Sequence, residues 1–328
     1  DHLAAWSQRL GPRRQQAPRW LGYGLDLVYP PEHARLAAEG FRALAGEPEP
    51  VADVIILLDS DTHSEATVDV TSLTFTPANW NVPQTVTITG VDDFVVDGDT
   101  PYSVVLDLAT SADPNYDGMD PNDVFGTTTD DDVAGITVTP TAGLTTTEAG
   151  ATATFTVVLT SQPTADVLLP VNSSDATEGT ASPGFLSFTS ADWNVPQTVT
   201  VTGVNDNVDD GDVSYTVVLS AAASADLVYD TVDADDVAVT NTDDDAAGIT
   251  VVPVSGLITT EAGGTATFSV VLTSQPTANV VIGVTSGTLT EGNVAPGSLT
   301  FTPANWSVSR TVTVTGQDDF SVDGSVAY

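Results

Sequence analysis

The chain has 328 residues, with 45 acidic side chains against seven basic ones and a formal net charge of −38. A charge of that sign and size repels nucleic acid and anionic membrane and favours cations as partners. There is no cysteine, so disulfides and thiol chemistry are excluded, and no run approaches the ~18 apolar residues of a membrane-spanning helix.

Residues 1–50 stand apart. They carry every basic residue except Arg310, and their Pro pairs and helix-like stretch Glu32–Leu44 have no counterpart downstream. Agreement with the rest begins at Pro50-Val51-Ala52-Asp53-Val54, which matches Pro163-Thr164-Ala165-Asp166-Val167. Two strands that should open the first unit are therefore replaced by unrelated sequence. Either residues 1–50 are foreign to the domain, through a reading-frame or assembly error, or a genuine upstream segment joins a degenerate unit. A sandwich short of two strands would expose its core and one sheet edge. The chain begins at Asp1 and stops at Tyr328 inside a strand pattern, so it reads as a fragment and the missing signal peptide carries no weight.

From residue 51 the sequence repeats at an interval of 113 residues. Thr147-Glu148-Ala149-Gly150 returns as Thr260-Glu261-Ala262-Gly263, Ser161-Gln162-Pro163-Thr164 as Ser274-Gln275-Pro276-Thr277, and Trp80, Trp193 and Trp306 are spaced alike. A fixed long period marks an array of like domains. The register divides the chain into a non-repeat segment (1–50), a partial unit (51–132), a complete unit (133–245) and a truncated unit (246–328).

Within the complete unit the pattern is alternation. Ala153, Phe155, Val157 and Leu159 face one way and Thr152, Thr154 and Thr156 the other; Val199 and Val201 alternate with Thr198, Thr200 and Thr202. Period-two patterning rich in Val and Thr predicts half-buried strands. Seven fit, near 135–140, 151–159, 165–171, 184–189, 197–203, 212–220 and 235–242, with Gly, Pro, Asn and Asp between them and no helix. The expected fold class is all-β: tandem immunoglobulin-like antiparallel β-sandwiches, with solvated Thr faces and a Val/Leu/Phe core that includes Phe188 and Trp193. Only Val133 and Ala134 separate Asp132 from the next strand, which predicts units stacked end to end.

Three acidic groups recur in register. The first is Glu148 or Glu261, in the turn before a long strand. The second is a loop holding Asp92, Asp93, Asp97 and Asp99 in the first unit, Asp206, Asp210 and Asp212 in the second, and Asp318, Asp319 and Asp323 in the third. The third is the terminal run Asp130, Asp131 and Asp132, repeated as Asp243, Asp244 and Asp245. A sandwich can bring the three to one end, where converging carboxylates repel unless a cation lies between them. Hard oxygen donors in that number suit Ca²⁺ better than Mg²⁺, which demands tighter octahedral geometry. A solvated acidic surface is the competing reading, but it predicts acids scattered over exposed faces. Here the outward strand positions are Thr and the acids sit in loops.

A second motif, Asp113-Pro114-Asn115-Tyr116-Asp117-Gly118, starts like an EF-hand loop, but Pro121 and Val124 occupy its ninth and twelfth places. It reads as a weak ion site or as an Asp/Asn/Gly turn; the complete unit keeps only Asp226, Asp230, Asp233 and Asp236 there. The only histidines are His2, His33 and His63, so triad and zinc-site chemistry is excluded from the second and third units, and no enzymatic role is expected.

Taken in order, these features resemble bacterial repeats of the Calx-β type: the Glu148 turn, the strand Ala153–Leu159, Phe188 with Trp193, Val199-Thr200-Val201, the Asp-Gly-Asp loop at 210–212, and the closing Asp243-Asp244-Asp245. The resemblance covers about residues 51–328. It implies a seven-stranded sandwich binding several Ca²⁺ at one end through Glu148, Asp206, Asp210 and Asp243–Asp245. The chain departs from it in having Val213 where a second Glu often stands, and in lacking the usual Asp-Tyr pair within 172–185, where Asp175 and Glu178 are the nearest acids; fewer or weaker ions follow. The function this suggests is a calcium-binding structural or adhesive repeat region of a large bacterial cell-surface or secreted protein, contacting neighbouring repeats and a host, matrix or cell-surface glycan or protein. The alternatives are a non-catalytic spacer array attached to an extracellular enzyme, or a glycan- or protein-binding module.

Overall fold

A computed structural model describes residues 49–319 and 324–327, and every regular element among them is a β-strand. The helix-like stretch Glu32–Leu44 and the origin of the leading segment lie outside the described residues. The chain divides into two compact units, one carrying the first repeat and the other the second and third.

The first unit contains β1 (Val54–Ser60), β2 (Ala66–Val68), β3 (Ser72–Phe75), β4 (Ile88–Gly90), β5 (Thr100–Leu106), β6 (Thr110–Ser111) and β7 (Val124–Thr128). One sheet runs β3-β1-β5-β7 with β6 added on β1, and β2 pairs β4 alone. Val54, Leu58, Leu73, Phe75, Tyr102, Val104 and Leu106 form its core.

The second unit opens with β8 (Ile136–Thr139), β9 (Leu144–Thr147), β10 (Thr152–Leu159), β11 (Val167–Ser173), β12 (Gly179–Ser182), β13 (Phe185–Phe188), β14 (Gln197–Gly203), β15 (Val213–Leu219), β16 (Ala223–Ser224) and β17 (Val237–Thr242). They make two sheets, β12-β14-β10-β8 and β13-β11-β15-β17-β9, with β16 on β11. The inner faces supply Phe155, Val157, Leu169, Phe188, Val199, Val217 and Val239, all essentially inaccessible, and Trp193 packs against them half-buried. The third repeat contributes β18 (Ile249–Val252), β19 (Thr265–Leu272), β20 (Val280–Gly283), β21 (Gly292–Ala295), β22 (Ser298–Phe301) and β23 (Arg310–Gly316). Strand bounds recur with the sequence period: β3, β13 and β22 coincide after shifts of 113, as do β10 with β19 and β14 with β23.

The complete repeat has three strands beyond the seven expected: β9, β12 and β16. Expected strand 135–140 ends at Thr139; after Pro140 the chain turns and crosses to the other sheet as β9. Leu144-Thr145-Thr146-Thr147 has a single apolar residue, so alternation could not announce it. β9 pairs with β17 in parallel, Val239 with Leu144 through Thr242 with Thr147, the only parallel pairing among the described strands.

Unpartnered strands are short, because a ladder needs its neighbour to satisfy backbone groups. β14 runs seven residues between β10 and β12. Its counterpart β4 has only β2 beside it and forms over three. β20 similarly forms over four residues where β11 forms over seven.

Candidate metal centre

The parallel β9–β17 ladder places the first acids. Two strands leaving a parallel ladder run on side by side, so Glu148, just past Thr147, emerges next to Asp243, just past Thr242. Glu148 N donates to Thr242 O at 3.1 Å, and Asp244 N donates to Glu148 Oε2 at 3.4 Å. One carboxylate oxygen each from Glu148, Asp243 and Asp245 falls within 4.8 Å of the others, and Glu148 is only 4 % exposed.

The loop between β14 and β15 brings the second set. Gly211 takes φ +76°, a left-handed conformation that suits glycine, and its N–H donates to Asp243 Oδ2 at 2.7 Å. Asp243 N in turn donates to Asp212 Oδ1 at 3.3 Å, and Asp243 Oδ1 accepts from Asp245 N at 2.8 Å. Asp243 thus fastens the loop to the end of β17. The loop is held so that Asp206 and Asp210 meet Glu178, again with one oxygen apiece within 4.8 Å. Glu178, 7 % exposed, ends the turn after β11 and its carbonyl accepts from Val204 N at 2.9 Å.

Charge gathers here without a base. Burial, then the nearby Asp206, Asp243 and Asp245, push the Glu148 carboxyl above its ordinary range. Burial, with Asp210, Asp175 and Asp206, does the same to Glu178 against the opposing Asn241 hydrogen bond. Asp210 and Asp245 are raised for the same two causes, desolvation first. Asp243 goes the other way, lowered chiefly by the backbone N–H groups of Asp245 and Gly211. An all-oxygen donor set with four carboxyls resisting ionisation is the environment a hard divalent cation relieves.

Of the sequence candidates, Glu148, Asp206, Asp210, Asp243 and Asp245 come together. Asp212 and Asp244 line the same end as braces, Asp212 through its carboxylate and Asp244 through its backbone. In the first repeat Asp130 repeats the fastening role, its Oδ2 accepting from Asp97 N at 3.1 Å and Gly98 N at 2.7 Å, with Asp130 N donating to Asp99 Oδ1 at 3.2 Å. Asp92, Asp93 and Asp97, like Asp131 and Asp132, belong to no such three-acid group among the described residues. The position matching Glu148 there is Arg35, outside the described residues. Glu261, Asp318 and Asp319 likewise form no group, and Asp323 lies outside the described residues.

Glu178, named from the sequence only as a nearby acid, joins Asp206 and Asp210, and the period points to it: Glu65, Glu178 and Glu291 are 113 residues apart. The EF-hand-like stretch resolves as a turn. Asp113 Oδ1 accepts from Asn115 N and Nδ2 at 3.0 Å, and Oδ2 from Val51 N at 2.9 Å. Asp226 does the same with Val228 N at 3.0 Å and Thr164 N at 2.8 Å. Both carboxylates are structural anchors.

No family model matches the chain, and no curated protein does. Solved structures similar to it include the CBD12 region of CALX1.2, at 19% identity and TM-score 0.27 over 57% of this chain and 76% of that one. The calcium binding domain CBD12 of CALX1.1 is similar at 17% identity and TM-score 0.27, over 55% and 71%. Domains 1–6 of the surface layer protein SbsC are similar at 16% identity and TM-score 0.27, over 80% of this chain and 29% of theirs. At this level of likeness no property of those proteins is carried to this chain.

Proposed function

We propose that the chain is a non-catalytic, calcium-binding structural region of a large bacterial cell-surface or secreted protein, serving in adhesion or matrix attachment. The observation that carries the reading is the convergence of Glu148, Asp243 and Asp245 beside Glu178, Asp206 and Asp210 at one end of the second sandwich. Those six side chains would hold the ion or ions, with Asp212, Asp244 and the Gly211 N–H bracing them. Bound calcium supplies positive charge where the fold has concentrated negative charge. The residues themselves fix the segments: Asp243 ties loop 204–212 to β17, and Glu148 ties the start of the repeat to its end.

The same loop reaches forward within its compact unit. Asn207 O accepts from Gln275 N at 2.6 Å, and Asp209 Oδ2 accepts from Ala247 N at 2.7 Å. A loop stiffened by its carboxylates therefore stiffens its contacts with the following repeat. Extracellular calcium modules bind in the ~0.1–1 mM range, and free calcium a hundredfold above the dissociation constant adds about 2.7 kcal/mol of stability per site.

The test is a thermal melt of the full chain in EDTA, then with millimolar Ca²⁺, and then with Mg²⁺ or NaCl at matched ionic strength. A rise specific to Ca²⁺ that Glu148→Gln or Asp243→Asn removes supports the reading. An equal rise with any salt reduces the acids to a screened surface charge and rejects it.

A further inference from the structure

We infer that Asn241 is the positioning residue that holds the two carboxylate groups in place at the acidic end of the repeat, an inference that rests on the calcium reading above. Four segments carry the acids: the end of β9, the Glu178 turn, loop 204–212 and the end of β17. The Asn241 side chain lies on β17 two residues before Asp243 and bonds to each of the other three. Its Nδ2 donates to Glu178 Oε2 at 3.3 Å and to Val204 O, at the root of the loop, at 3.1 Å. Its Oδ1 accepts from Thr146 Oγ1 on β9 at 2.9 Å. Thr146 is also its rung partner in the parallel ladder, and Thr146 Oγ1 lies 3.3 Å from the Tyr215 hydroxyl.

The side chain is 1 % exposed, so these bonds have little competition from water. A primary amide is suited to the place, since it offers donors to a carboxylate and a carbonyl while accepting from a hydroxyl. The backbone makes room for it: a Cβ on Gly203 would stand 2.2 Å from Thr147 O and 2.6 Å from Asn241 Oδ1.

The first repeat supplies an internal contrast. It has Glu65, Asp93 and Asp97 at the positions of Glu178, Asp206 and Asp210, but Thr128 at that of Asn241. Thr128 is too short to span the segments and donates instead to Glu65 O at 2.8 Å. The three acids there are not gathered. Glu65 therefore has the charge of Glu178 without the amide that aims it.

The experiment exchanges Asn241 for the residue the first repeat uses. Calcium titration by calorimetry, terbium luminescence excited through tyrosine, and melting in EDTA are compared for the full chain and its Asn241→Thr and Asn241→Leu variants. A positioning role predicts that calcium affinity falls by about 10–100-fold, the scale seen when outer-shell partners of metal ligands are removed. It also predicts weakened terbium emission, and in Asn241→Thr a loss of affinity larger than any fall in the EDTA melting temperature accounts for. Unchanged calcium affinity in both variants, alongside clear binding by the parent, overturns the inference and leaves the calcium reading intact. Loss of affinity only in proportion to a collapse of the EDTA melting temperature makes Asn241 merely structural and overturns it too. A parent chain that binds no calcium sinks both readings together.

Discussion

Glu148 and Glu178 are more easily protonated in the folded chain than in the unfolded one. Their favourable contribution is therefore complete below the ordinary value of 4.5 and is lost as pH rises through the raised folded value. Without calcium, Glu178→Gln should raise the melting temperature at pH 7 by a few degrees, and the gain should vanish near pH 4, where the parent glutamate is already protonated. With calcium the same variant should melt below the parent, because it has lost one carboxylate of the proposed site. A melting series in EDTA and in calcium across that range checks both signs. Asp226 illustrates the opposite sign: its backbone donors outweigh its burial and lower its pKa, so its contribution holds above the ordinary value and is lost in acid. Asp226→Ala should cost about 2–4 kcal/mol in denaturant unfolding, since it orphans the Thr164 and Val228 N–H groups. Single residues were unevenly legible. The Asp243–Asp245 run and Glu148 stood out because the period repeats them. Glu178 recurs with the period as well, as Glu65 and Glu291, but it lies away from the Asp-rich loop and the terminal run in sequence, and Asn241 is an ordinary strand residue. Their roles come from pairing between segments distant in sequence.

Long alternating elements are plain in the sequence: β10, β14 and β15 fall within a residue of their expected bounds because each buries one apolar face over seven or eight residues. β9, with one apolar residue in four, was not, and neither was its parallel pairing. Partner availability decides what alternation leaves open. Thr85-Val86-Thr87 and Thr198-Val199-Thr200 are alike, yet only the second lies in a strand, paired along its length with β10. Amide exchange should show it: the N–H groups of Thr85 and Val86 should exchange at least about tenfold faster than those of Thr198 and Val199. Equal protection would contradict the link between partner availability and strand length.

At the scale of the whole molecule the charge is general but the organised site is local. All but six of the 45 acidic residues lie beyond residue 50, with Arg310 the one base among them. Monovalent salt should therefore raise stability modestly and everywhere by screening. Calcium should act at one place. Exchange mass spectrometry in calcium against EDTA should show added protection at 144–148, 175–180, 204–212 and 241–245, with little change at 92–99. Protection spread evenly over all three repeats would contradict the local site. The β9–β17 ladder runs parallel. Within the complete repeat it joins a strand near the chain's entry to the strand at its exit, and both point toward the acidic end. Tension on the two ends of the repeat then loads the rungs sideways and together, in shear, instead of peeling them one at a time. Glu148 and Asp243 sit just past the last rung, where a shared ion would act as a rivet against slip.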